Sequence, residues 1–144
     1  MTSMSETKIL LAYQQTLIYL GLEDISAVFM LSGIAGGQGA NEDGAWVEAV
    51  ADFIFSSLRG GLIYFSSGEE FFSAPENFDS IRMDYSSSDP ESKPEIWMGV
   101  QYSATENLIE ILQSFELLNW ESISSDLKPG LADKISAIYR NNSA

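Results

Sequence analysis

A chain of 144 residues suits one domain, residues 1–144, and 45% apolar residues with three Trp, six Tyr and eight Phe supply a core that closes without disulfides or metals. Twenty-one Asp and Glu against seven Lys and Arg leave a net charge of -14, a field that repels phosphate backbones and anionic lipid, so neither nucleic acid nor membrane is an expected partner. With no Cys and no His in the chain, disulfides, thiolate nucleophiles, Cys/His zinc sites and Ser-His-Asp triads are excluded; no catalytic residue, metal ligand or cofactor is assigned, and an enzyme is not expected.

The opening stretch MTSMSETKILLAYQQTLIYLGLED has neither the basic start nor the small-residue cleavage site of a secretory leader. No apolar run reaches the ~18 residues of a membrane span, so a soluble cytoplasmic protein is expected. Ser3 and Glu6 have capping-box spacing, which predicts a helix over residues 5–20 with Ile9, Leu10, Tyr13, Leu17 and Leu20 on one face and Gly21 as its stop. Residues 22–34 fit a helix through Leu22, Ile25, Val28 and Phe29, although AVFML also reads as a buried strand; the helix is the preferred reading. The five glycines of GIAGGQGANEDG make residues 33–44 a loop.

Glu42 and Asp43 then place negative charge at the start of a helix over residues 44–58, where the macrodipole favours it. Val47, Val50, Ala51, Ile54 and Leu58 share a helical face, and Trp46, Phe53 and Phe55 widen it, so this helix should be contacted from two sides. It ends at Gly60 and Gly61. Between residues 61 and 102, the runs LIYF, SIRMDY and EIWMGVQY predict the strands of a small antiparallel sheet, with SSSDPESKP as an exposed loop. Ser103 and Glu106 repeat the capping-box spacing before a helix bearing Leu108, Ile111, Leu112 and Phe115. A last helix over residues 126–140 aligns Leu127, Leu131, Ile135 and Ile138, with Pro129 in its first turn. The expected fold is therefore helix-rich α+β: about five helices with a small antiparallel sheet. Its core should contain Leu10, Leu17, Val50, Ile54, Leu58, Leu108, Leu112, Ile135 and Ile138.

Two constellations imitate known chemistry. AVFML, GIAGGQG, a helix and GLIYF follow the order of a nucleotide-binding unit, but Glu42 stands where the third glycine of G-x-G-x-x-G belongs and no Lys follows. The pairs Glu69/Glu70 and Asp89/Glu91 offer oxygen ligands, yet no stretch has the D-x-D-x-D-G spacing of a calcium loop.

Charge distribution says more. Residues 42–95 hold twelve acids against Arg59, Arg82 and Lys93, a net -9. The same span carries Trp46, Tyr64, Phe65, Phe71, Phe72, Phe78 and Tyr85. An anionic face with aromatic anchors competes well for a basic cleft, because charge speeds the encounter and buried rings hold it. Equally, the rings can be the core and the acids a solubilising shell. The expected partner-binding residues are Glu42, Asp43, Glu69, Glu70, Asp84, Asp89, Glu91 and Glu95.

In size, charge and lack of catalytic residue types, with EDGAWVEAVADFIFSSLRGGLIYF and PEIWMGVQYSATENLIEIL as its most suggestive stretches, the whole chain resembles the small acidic immunity proteins of bacterial contact-dependent growth inhibition and other polymorphic toxin systems. The resemblance implies a cytoplasmic inhibitor of a cognate toxin domain, often a basic nuclease. An acidic adaptor would share the composition, and a carboxylate-dependent enzyme is the alternative from another class.

Overall fold

The computed structural model describes residues 4–31 and 44–141. Helix α1 covers Met4–Leu22 and buries Leu17, Ile18 and Leu20. Gly21 does not stop it. A Cβ at Gly21 would lie 2.7 Å from a methyl of Leu112 and 2.7 Å from one of Leu118, so the glycine lets another part of the chain approach closely. The Ser3–Glu6 capping box lies outside the described residues.

The helix expected over residues 22–34 is not formed in its described part. Ile25 exchanges two backbone hydrogen bonds with Tyr102 (3.1 and 2.9 Å), and a 3-10 turn follows at Ala27–Phe29. Two tertiary contacts fix its far end: Trp46 Nε1 donates to the Met30 carbonyl at 2.9 Å, and the Leu31 N–H donates to Thr16 Oγ1 at 3.0 Å. Those long-range partners override the weak helical periodicity of the segment. Residues 32–43, with most of the glycine-rich loop and both Glu42 and Asp43, lie outside the described residues.

Helix α2, Ala45–Arg59, is the centre of the molecule; Trp46, Val50, Phe53 and Ile54 are all fully buried, as its wide apolar stripe requires. Strand β1, Ile63–Ser67, pairs antiparallel with β2, Gln101–Ala104, in the register Ile63↔Ala104, Tyr64↔Ser103 and Phe65↔Tyr102, with a bulge before Ser67. SIRMDY is helical, not a strand: α3 covers Phe78–Ser86, and the Asn77 side chain caps it by accepting from Ser80 N–H at 3.1 Å. Ile81 and Tyr85, four residues apart, form its buried side. EIWMGVQY divides, its first half falling in the short helix α4, Pro94–Trp97, and its last residues in β2. SSSDPESKP provides the α3–α4 connection, as expected.

Helix α5 covers Glu106–Ser114, but Ser103 does not cap it; Ser103 lies in β2 opposite Tyr64. The cap is Thr105, whose Oγ1 accepts from Leu108 N–H at 3.3 Å and donates to the Gly61 carbonyl at 2.7 Å, tying α5 to the end of α2. At the other end Glu116 N–H reaches the Gln113 carbonyl and Leu117 N–H the Leu112 carbonyl, the two bonds of a Schellman motif. Its left-handed position, usually Gly, is Glu116 with φ 57°. Replacing Glu116 by Gly relieves the Cβ and removes an anion from a helix C-terminus, so a gain of about 0.5–1 kcal/mol is expected in urea unfolding. An unchanged midpoint would mean that the motif carries no strain.

After a 3-10 turn at Trp120–Ser124, α6 covers Pro129–Asn141 with Pro129 in its first turn. Buried Gln14 on α1 holds the approach to α6: its amide donates to the Asp126 carbonyl (3.0 Å) and accepts from Lys128 N–H (2.8 Å). The result is a helix-rich α+β fold with a two-stranded antiparallel sheet. Its buried apolar residues form one cluster from Ala12 to Ile135. Of the expected core, Leu17, Val50, Ile54, Leu58, Leu108, Leu112 and Ile135 are buried, whereas Leu10 and Ile138 are only half-buried. No described helix is long and apolar enough to cross a membrane.

Candidate functional site

The aromatic residues of the acidic span belong mainly to the core. Trp46 and Trp97 face each other at 5.1 Å; Tyr85 meets Trp97 edge-on at 5.0 Å and Phe72 at 5.7 Å; Phe65 links Phe72 to Tyr102. The polar ends of this cluster are paired. Tyr85 donates to the Ile96 carbonyl at 2.8 Å, which leaves Tyr102 to donate to the Tyr85 oxygen at 2.8 Å. Trp97 Nε1 donates to Ser88 Oγ at 3.0 Å, and Ser88 Oγ donates to the Asp84 carbonyl at 2.6 Å. Burial pushes the phenols of Tyr85 and Tyr102 well above their ordinary range. Phe78 is half-buried against the same core. Of the seven rings counted in the sequence, only Tyr64 and Phe71, each about half exposed, face solvent substantially.

This cluster is the platform on which part of the acidic surface rests. Glu69, Glu70 and Phe71 form a 3-10 turn directly after β1, and all three are exposed. Gly68 brings that turn against the α4–β2 junction: a Cβ there would lie 2.5 Å from the Gly99 carbonyl oxygen and 2.7 Å from Val100 Cα. The Phe71 ring lies over Gly99, whose N–H bonds the Glu95 carbonyl. The Glu69–Phe71 turn thus lies beside the α4–β2 junction, whose flanking residues Glu95 and Met98 are exposed. None of the three carboxylates is ion-paired with a described cation.

The other expected residues have different settings. Asp89 accepts from Glu91 N–H (3.0 Å) and Ser92 N–H (2.8 Å) through one carboxylate oxygen, so it shapes the α3–α4 connection. Glu91 is exposed on that turn and Asp84 is half-buried on α3. Arg82 is engaged with Asp52 at 2.5 Å. Among the described residues no three carboxylates converge as a metal site. The cleft between α1 and α6, lined by Tyr13, Leu131 and Tyr139 among others, has a volume of about 70 Å³ and holds no free acid.

Sequence reading missed Met98 and, at a distance from this patch, the exposed Phe29 and Trp120. Met98 was legible only as part of a strand. Comparison with protein-family models, with curated proteins and with solved structures finds no match.

Proposed function

We propose that the protein binds a basic protein partner and, as an immunity protein, neutralises a cognate toxin domain of nuclease type. The observation that carries this reading is that the exposed turn Glu69–Glu70–Phe71 packs against the α4–β2 junction, which carries exposed Glu95 and Met98. Carboxylates without cations of their own are free to meet a partner's Lys and Arg, and the two apolar side chains supply anchor area that charge alone lacks.

Co-expression with the toxin domain encoded beside this chain tests the reading; if no complex forms and growth is not rescued, it falls. In the complex, the association rate is expected to drop at least about tenfold between low and physiological salt, where the Debye length is about 8 Å. Dissociation should change less. Glu69→Gln combined with Glu70→Gln should slow association, whereas Phe71→Ala should speed dissociation.

A further inference from the structure

We propose that the recess between the end of α1 and the 3-10 turn at Ala27–Phe29 is a receptor for one guanidinium side chain. The arginine would be presented by the basic partner, so its source, though not the chemistry of the recess, rests on the reading above. The recess has a volume of about 200 Å³ and is lined by Tyr19, Glu23, Asp24, Ser26, Phe29 and Gln101. Its walls are fixed: Glu23 N–H bonds the Tyr19 carbonyl at 2.9 Å, and Ile25 is held to Tyr102 by the two bonds described above.

Four features select the ligand. Glu23 and Asp24 are exposed and unpaired with any described cation, so the recess disfavours anions. The Glu23 carboxylate lies close enough to the Tyr19 phenol, on the same recess wall, to raise the tyrosine's pKa. Phe29 and Tyr19 line the recess beside the acids, and Phe29 is 66% exposed, so an aromatic ring is open to a cation there. Ser26 is only 3% exposed, yet among the described residues its side-chain hydroxyl has no hydrogen-bond partner. A buried hydroxyl left unpaired is unfavourable, and an N–H donor entering the recess would satisfy it. A guanidinium meets all four conditions together: its planar fork donates to carboxylate and hydroxyl while its face stacks on a ring. An ammonium has fewer donors and no plane.

The test uses the full chain with L-arginine amide as probe and L-citrulline amide, of equal length but with an uncharged side chain, as control. Arginine amide is expected to bind with a dissociation constant on the order of millimolar, as suits one side chain. Saturable amide shifts at Ser26, Phe29 and Gln101 in a nitrogen–proton correlation spectrum would report it, and citrulline amide should produce none. Ser26→Ala should weaken binding several-fold without lowering the melting temperature, and Glu23→Gln with Asp24→Asn should abolish it. Equal response to both probes, shifts at Glu69, Glu70 and Glu95 as large as those in the recess, or affinity unchanged in both variants would overturn the assignment. The two readings fail separately. Saturable arginine binding without a toxin complex removes the immunity reading and keeps the recess, whereas a complex indifferent to the Glu23/Asp24 variant, with no arginine binding, does the reverse.

Discussion

Raising the pH from 10 to 12 is expected to unfold the protein cooperatively. Burial pushes the phenols of Tyr85, Tyr102 and Tyr139 above their ordinary value of 10.0 in the fold, and that of Tyr13 up to about 12, where the nearby charge of Asp52 adds to burial. The folded chain therefore holds these protons more tightly than the unfolded chain. Stability from this source is complete below pH 10 and is lost as the pH climbs above it, because only the unfolded tyrosines ionise there. Each such group contributes a slope of about 1.4 kcal/mol per pH unit, so the fully buried Tyr85 and Tyr102 alone give about 3 kcal/mol per unit. Over that range the loss reaches several kcal/mol, a large part of the stability of a typical domain. Far-ultraviolet circular dichroism and tyrosinate absorbance should change together. Smooth titration of all six tyrosines near pH 10 with intact helicity would show that the Tyr85–Tyr102 pair is open to water.

Gly68→Ala should be among the most damaging single substitutions in the chain. The backbone there has φ 84°, which disfavours any Cβ, and that Cβ would also meet the main chain of Gly99 and Val100 at 2.5–2.7 Å, where no side-chain rotation gives relief. Left-handed strain and overpacking together predict a loss of about 2–5 kcal/mol. The same substitution should weaken partner binding, because this approach sets the Glu69–Phe71 turn against the junction that carries Glu95 and Met98. Gly61→Ala is the control: it also has positive φ, at 71°, but its Cβ would point into open space. A smaller loss there, with binding intact, separates backbone conformation from close approach, and equal losses would show that the Gly68–Gly99 approach is not what holds the patch together.

Much of the helical frame was legible because long 3.6-residue patterns survive tertiary context: α2, α5 and α6 stand close to where their apolar spacing put them. The failures share a cause. In α3, Ile, Met and Tyr outvoted the spacing of Phe78, Ile81 and Tyr85, and nothing local revealed that Trp97 and Tyr102 would receive the buried Tyr85. Ser103 and Glu106 had the right separation for a capping box, but Thr105, one residue ahead of α5, has the hydroxyl in reach of Leu108. Gly21 reads as a stop in isolation and becomes a contact only once Leu112 and Leu118 are placed beside it. At the candidate site, charge was visible in the sequence; the sorting of buried rings from exposed ones was not. That sorting depends on Gly68 meeting Gly99, thirty-one positions away.

The bond pair at Gln14 has a consequence for how the chain is made. Its amide waits for backbone partners at Asp126 and Lys128, 112 and 114 residues further along. At a synthesis rate of about 5–20 residues per second, α1 therefore leaves the ribosome roughly 6–20 s before the segment that completes its cover. Throughout that interval Leu17 and its neighbours lack α6, and only the closing of a very long loop can supply it. A nascent chain stalled before Pro129 thus offers chaperones and proteases an apolar helix face that the finished protein hides.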